Sequence, residues 1–407
     1  MPKSATVTSS QTATIERPVR TAALPLAAPA VRRDWFGRTL TVLVLLGLLV
    51  PPYLFGDDRY YLPLFTRYLA LAIFALSVDL IWGYTGLLSL GQGLYFGPGA
   101  YALGYSLKLQ RTAQAAGEPP GTVLLPDFME YCRLPEVPVW VAPLIHIWVA
   151  IAVAVILPAL VATVFGLVTF RLRIRDVFFS IITQALVLAM FTFVVNQQPY
   201  TGGVVGMTYL AKLELFGHTF QMLDMYYLVA GILVASFLGC LLLVHSKFGR
   251  VLTAIRDNEN RVLALGYNTA MYKTFIFAVA GGLAGLSGGL YVSSLGTTGP
   301  DVLGIVFSIE VVILVAVGGR GTLIGAIIGA ILVNFTKTYV NDEYKKAWPI
   351  VIGSIFVLVV VFMPNGIIGV IRGLPNKGRK LIALTNRLRI IARRPATQIG
   401  SHDAFIL

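Results

Sequence analysis

Five ionisable residues, Arg250, Arg256, Asp257, Glu259 and Arg261, alternate with apolar Val251, Leu252, Ile255, Val262 and Leu263 in one short stretch. At helical spacing this gives one apolar face and several charged ones. Such an element can pair ionically with another protein while staying packed on its own. Two carboxylates, Asp79 and Glu310, sit inside apolar runs, where a charge is costly. Glu310 either lines a transport pathway or forms a polar clamp between helices. Asp79 lies beside a glycine-rich turn, which its side chain is expected to cap. Arg67, near a span end, is expected to snorkel. Thr85, Ser89 and Gln92 follow Gly83 in GYTGLLSLGQG. Their hydroxyl and amide groups can bind a small neutral polar solute, or can hydrogen-bond between close-packed helices.

Other chemistry is missing from the sequence. There is no HExxH, CxxC or Gly-x-Ser-x-Gly, and the four histidines have no metal-ligand spacing. No metal, catalytic residue or cofactor is therefore expected in this chain. GLPNKGRK at 373–380 has Arg where a phosphate loop needs Lys, and it follows an apolar span rather than a strand. If ATP powers this protein, another chain must bind it.

The elements around these residues are helices in lipid. Of 407 residues, 57% are hydrophobic and only 13% charged, far below the charged quarter of a soluble domain. Ten apolar runs are candidate spans: 38–55, 62–83, 93–107, 140–170, 177–196, 224–245, 274–295, 303–318, 322–336 and 348–371. The expected fold class is all-α polytopic, with about ten transmembrane helices, some short or broken. The short, glycine-rich runs 93–107 and 322–336 are the candidates for broken or re-entrant helices. Gly-x-x-x-Gly spacing at Gly281, Gly285 and Gly289 predicts close helix packing.

The net charge of +13 reads as a topology signal and not as an affinity for nucleic acid. With the N-terminus inside, 23 of the 32 Lys and Arg fall in cytoplasmic segments. Both termini and 246–273 are then cytoplasmic, and 108–139 and 197–223 are outer loops. Residues 1–37 read as a disordered tail. Residues 38–372 are expected to form the transmembrane domain, and 373–407 a basic amphipathic helix on the inner leaflet.

The stretch GRVLTAIRDNENRVLALGYNTAMYK resembles the cytoplasmic coupling segment of permeases in the branched-chain amino acid and urea family of ABC importers. Gly249, Arg250, Ala254, Ile255, Arg256, Asp257, Asn258, Glu259, Leu265 and Gly266 carry the pattern. GYTGLLSLGQGLYFGPGAY at 83–101 and GGRGTLIGAIIGA at 318–330 resemble the family's two glycine-rich motifs. Within the family, DLIWGYTGLLSLGQG (79–93), LPDFMEY (125–131) and LPEVPVW (134–140) are most similar to the urea permease group. The resemblance implies a bacterial plasma-membrane subunit that docks a helix of about 250–264, turning at Gly249 and Gly266, onto an ATPase. It also implies partners: two ATPase chains, a second related permease and an extracytoplasmic binding protein. A branched-chain amino acid or short amide is the alternative substrate. An ion-coupled secondary transporter, using Glu310 and working alone, is the rival class.

Overall fold

The computed structural model describes residues 60–343 apart from 120 and 175, with isolated stretches between 44 and 55 and between 350 and 369. The described residues are almost wholly helical: α1 (Tyr61–Thr85), α2 (Gly93–Ala116), α3 (Ile147–Arg171), α4 (Asp176–Asn196), α5 (Met222–His245), α6 (Lys247–Ala264), α7 (Thr269–Leu295), α8 (Ile305–Gly318) and α9 (Leu323–Glu343). A small antiparallel hairpin pairs Glu214–Leu215 with His218–Thr219. Six of the described helices (α1, α3, α4, α5, α7 and most of α9) are long and apolar enough to cross a bilayer. The chain is an all-α polytopic membrane protein.

Burial sorts the helices into layers. The central apolar window of α1 is 83% buried, against 22% in α3, α4 and α5. Apolar residues buried all round mark an inner helix, and exposed apolar surface on a spanning helix faces lipid. Helix α7 packs most extensively on α3, α2 and α1. Its glycines make this possible. A Cβ on Gly281 or Gly285 would strike α3 at Pro158, Ala162 or the Ala154 carbonyl, and one on Gly288 would strike the Phe96 carbonyl of α2.

Several expected boundaries move. The run 93–107 is not a short helix: α2 continues to Ala116, so the connection read as 108–139 begins only at Gly117. Likewise, 322–336 extends to Glu343. The long run 140–170 divides into a 3-10 turn at Ala142–Ile145 and α3. The broken helix lies elsewhere, at 303–318. Helix α8 has 14 residues, a rise of about 21 Å against the roughly 30 Å of a bilayer core. The segment 296–304, extended at Gly299 and wound into a 3-10 turn at Pro300–Leu303, completes the passage along α2. Met207 and Thr298 exchange backbone hydrogen bonds of 2.7 and 2.8 Å, and Gly304 N–H donates to Asp301 at 2.8 Å. Backbone outside the α-helical pattern is tolerated there because protein supplies its partners. Gly93 N–H donates to Ser308 Oγ at 3.0 Å, so the starts of α2 and α8 meet inside the bundle. The run 38–55 lies partly, 348–371 largely, and the tails 1–37 and 373–407 entirely, outside the described residues.

Candidate functional site

The charged element α6 is amphipathic as expected, with Gly249, Leu252, Ile255 and Val262 buried. It starts at Lys247, where Ser246 Oγ accepts from Gly249 N–H at 3.3 Å. Asn258 (φ −161°, ψ 96°) interrupts it, and the Asn258 side chain accepts from Arg261 N–H at 3.1 Å, capping a second short helix. Gly266 (φ +85°) turns the chain away in the left-handed region. Gly249 makes no such turn. It lies in the first helical turn, where a Cβ would run into the Val244 carbonyl of α5. Its smallness serves a close approach between helices, and the kink falls at Asn258 instead.

Arg256 reaches out of α6 to the end of α1. Its Nη1 donates to the Gly83 carbonyl at 2.7 Å, and its guanidinium also bonds Asp257 Oδ1 at 3.3 Å. The last carbonyls of a helix lack partners within the helix and carry its negative dipole end, so a cation there satisfies both needs. Gly86 (φ +80°) ends α1 in the left-handed region. A Cβ at Gly86 would lie 3.1 Å from Arg256 Cγ, so the arginine stem runs over this turn.

The second glycine-rich motif meets the same point. Asp79, fully buried, accepts from Gly321 N–H at 2.6 Å. Tyr84 donates to the Gly321 carbonyl at 3.2 Å. A Cβ on Gly83 would collide with Gly321 N and Asp79 Oδ1. Asp79 therefore caps a turn across the bundle, at 319–322, and not the turn that follows it in sequence. Arg320 lies 5.7 Å from the Trp82 ring centre. The three sequence motifs thus converge at one end of the bundle, with Arg256 and Asp79 as their ties.

Glu259 is engaged within the chain. It accepts from Lys273 Nζ at 2.7 Å and from Thr269 Oγ1 at 2.9 Å, stapling α6 to the start of α7. Arg250, Asp257 and Arg261 stay exposed.

Of the proposed pathway residues, Thr85 and Ser89 are buried and satisfied locally: Thr85 donates to the Ile81 carbonyl at 2.6 Å, and Ser89 accepts from Gly91 N–H at 3.4 Å. Gln92 is fully buried with neither amide atom partnered. Glu310 forms an ion pair with Lys337 of α9, at 2.6 and 2.9 Å. Arg67 is half-buried, and its Nε has no hydrogen-bond partner among the described residues. Glu310 also borders a cleft of about 680 Å³ between α4, α7 and α8, where Tyr291, Thr298, Asp301 and Phe307 join it. Thr298 and Asp301 were not singled out in the sequence. The available signal is the Gly-Pro-Asp of TTGPDVLG, a helix-breaking stretch.

Residues 60–362 match the family described as branched-chain amino acid transport system / permease component. The high-affinity branched-chain amino acid transport system permease protein LivM of Escherichia coli K12 is 23% identical over 370 residues, covering 84% of this chain and 78% of LivM. The ribose import permease protein RbsC of the same organism is 21% identical, over 53% of this chain and 68% of its own. The autoinducer 2 import system permease protein LsrC of Salmonella paratyphi B is 30% identical over 32% of this chain and 40% of its own. No solved structure matches. With its family match spanning both glycine-rich motifs and the charged helix between them, the chain belongs to the permease-component family of the branched-chain amino acid transport systems.

Proposed function

We propose that the chain is the transmembrane permease subunit of an ATP-driven ABC importer for urea, forming half of the translocation pathway. The observation that carries the importer reading is the contact of Arg256 with Gly83, beside the Asp79–Gly321 tie. A movement imposed on α6 from outside the chain is handed directly to α1 and to the turn between α8 and α9. The proposed source is a pair of ATPase chains, which bind the ATP. A second related permease and an extracytoplasmic binding protein complete the assembly in a bacterial plasma membrane, with both termini cytoplasmic.

Urea rests on the residues at 79–93, 125–131 and 134–140. A branched-chain amino acid is the second reading, favoured by the likeness to LivM over 84% of this chain. An ion-coupled transporter is disfavoured by the Glu310–Lys337 pair, which leaves the carboxylate occupied. Labelled urea uptake into proteoliposomes holding the full complex tests the proposal. ATP-dependent accumulation that leucine does not compete is expected; leucine accumulation without urea uptake would select the second reading.

Orientation has its own test. Asn260 is exposed on α6. In a Cys132→Ser background, Asn260→Cys should resist an impermeant maleimide added to intact cells and react once they are permeabilised. Rapid labelling of intact cells would invert the topology.

A further inference from the structure

We propose that the cleft between α4, α7 and α8 is a solute-binding site that holds a small neutral amide by its carbonyl oxygen and its N–H groups together. This inference rests on the urea-importer reading and assigns it a place in the chain.

The cleft, about 680 Å³, falls within the range of small-molecule sites. Leu188, Phe191 and Phe307 give it apolar walls. Its polar groups gather where the segment 296–304 leads into α8. Three features there are left incomplete by the chain itself.

First, α8 starts inside the bundle at Gly304, which has no side chain to cap it. Ser308 is the first residue whose N–H finds a backbone acceptor, Gly304 at 3.1 Å. The N–H groups of Ile305, Val306 and Phe307 precede the helix's own acceptors and lie at its positive end. All three residues line the cleft. Second, Thr298 lines the cleft, is 2% exposed, and its Oγ1 has no hydrogen-bond partner. A buried hydroxyl left unsatisfied costs about 1–3 kcal/mol. The Thr298 backbone is fixed by two hydrogen bonds to Met207, at 2.7 and 2.8 Å, and its side chain packs closely over Gly104 of α2. Third, Asp301 is exposed in the same cleft and makes no ion pair with a described residue.

Together these supply several N–H donors for one acceptor, and carboxylate and hydroxyl acceptors for several donors. A free anion would suit the α8 start but would face the unpaired carboxylate of Asp301. A simple cation would suit Asp301 but would meet the positive end of α8. No Lys or Arg lines the cleft, so the carboxylate of an amino acid would find no cationic side chain there. A neutral amide carries a carbonyl oxygen and N–H groups a short distance apart and satisfies both sets without a net charge to desolvate.

The test is urea uptake by the reconstituted complex, with KM and maximal rate measured separately and ATP hydrolysis followed in parallel. Thr298→Val removes the hydroxyl at nearly constant shape, and Asp301→Asn, at an exposed position, removes the charge. Each is expected to raise KM for urea about fivefold or more and to leave ATP hydrolysis without solute within twofold of wild type. Thr298→Ser, which keeps the hydroxyl, should hold KM within twofold. Wild-type urea uptake with unchanged KM in both Thr298→Val and Asp301→Asn overturns the site and leaves the importer reading standing. A wild-type complex that takes up no urea overturns that reading and the amide assignment with it.

Discussion

Arg256→Ala is expected to lower ATP-driven uptake about tenfold or more while the protein still accumulates in the membrane. The substitution deletes the guanidinium bond to the Gly83 carbonyl at 2.7 Å and uncovers the end of α1. Hydrogen bonds to charged groups contribute about 1.5–3 kcal/mol, and about 1.4 kcal/mol is a factor of ten in a population. The Arg256 side chain is 41% exposed, so the effect belongs near the lower end. The loss should appear in transport more than in folding, because α6 keeps its buried residues Leu252, Ile255 and Val262. Arg256→Lys should be intermediate: it keeps a cation at the α1 end but not the fork that also reaches Asp257. Uptake at the wild-type rate in Arg256→Ala would remove the arginine from any coupling role. A matching fall in thermal stability would make it a structural tie only.

The largest effect on folding is expected at Gly99→Val. A Cβ there would enter the backbone of Gly285, meeting its carbonyl oxygen, carbonyl carbon and Cα. Backbone cannot step aside as a flexible side chain can, so α2 and α7 must separate. Overpacking a tight contact costs about 1–3 kcal/mol, occasionally more, and this contact joins two of the most buried helices. Protein recovered from the membrane should fall several-fold, and the thermal midpoint in detergent should drop. The matched control is Gly282→Ala on the same α7. Its Cβ would meet Ala159 and Val155 at 3.5 Å, ordinary contact distance, and its midpoint should stay near wild type. Equal behaviour of the two variants would show that the α2–α7 approach is looser than the structure has it.

Legibility differed between elements for physical reasons. Helix α6 was readable because amphipathic spacing is local: the apolar residues at 251, 252, 255, 262 and 263 turned out buried or half-buried. The glycines at 281, 285 and 289 were readable as packing residues because small side chains at i, i+4 leave one face bare. Gly249 was misread as a hinge, since a glycine needed for space and one needed for a left-handed turn look alike in sequence. The break at α8 was missed because apolarity over 303–318 does not reveal that the preceding backbone leaves the α-helical pattern, pairs with Met207 at Thr298 and closes a 3-10 turn at Pro300–Leu303. The partner of Glu310 was not legible because Lys337 lies 27 residues away on another helix.

By itself the sequence determined that this is a helical membrane protein with one charged amphipathic helix and two glycine-rich motifs. Composition, periodicity and charge placement all act over short stretches of chain. Only the tertiary structure decided that these motifs share one junction. Arg256 finds Gly83 across 173 residues and Asp79 finds Gly321 across 242. Those pairings depend on which glycines let two backbones approach, and on which helix end lacks a partner for its carbonyls. Neither quantity exists until the helices are packed.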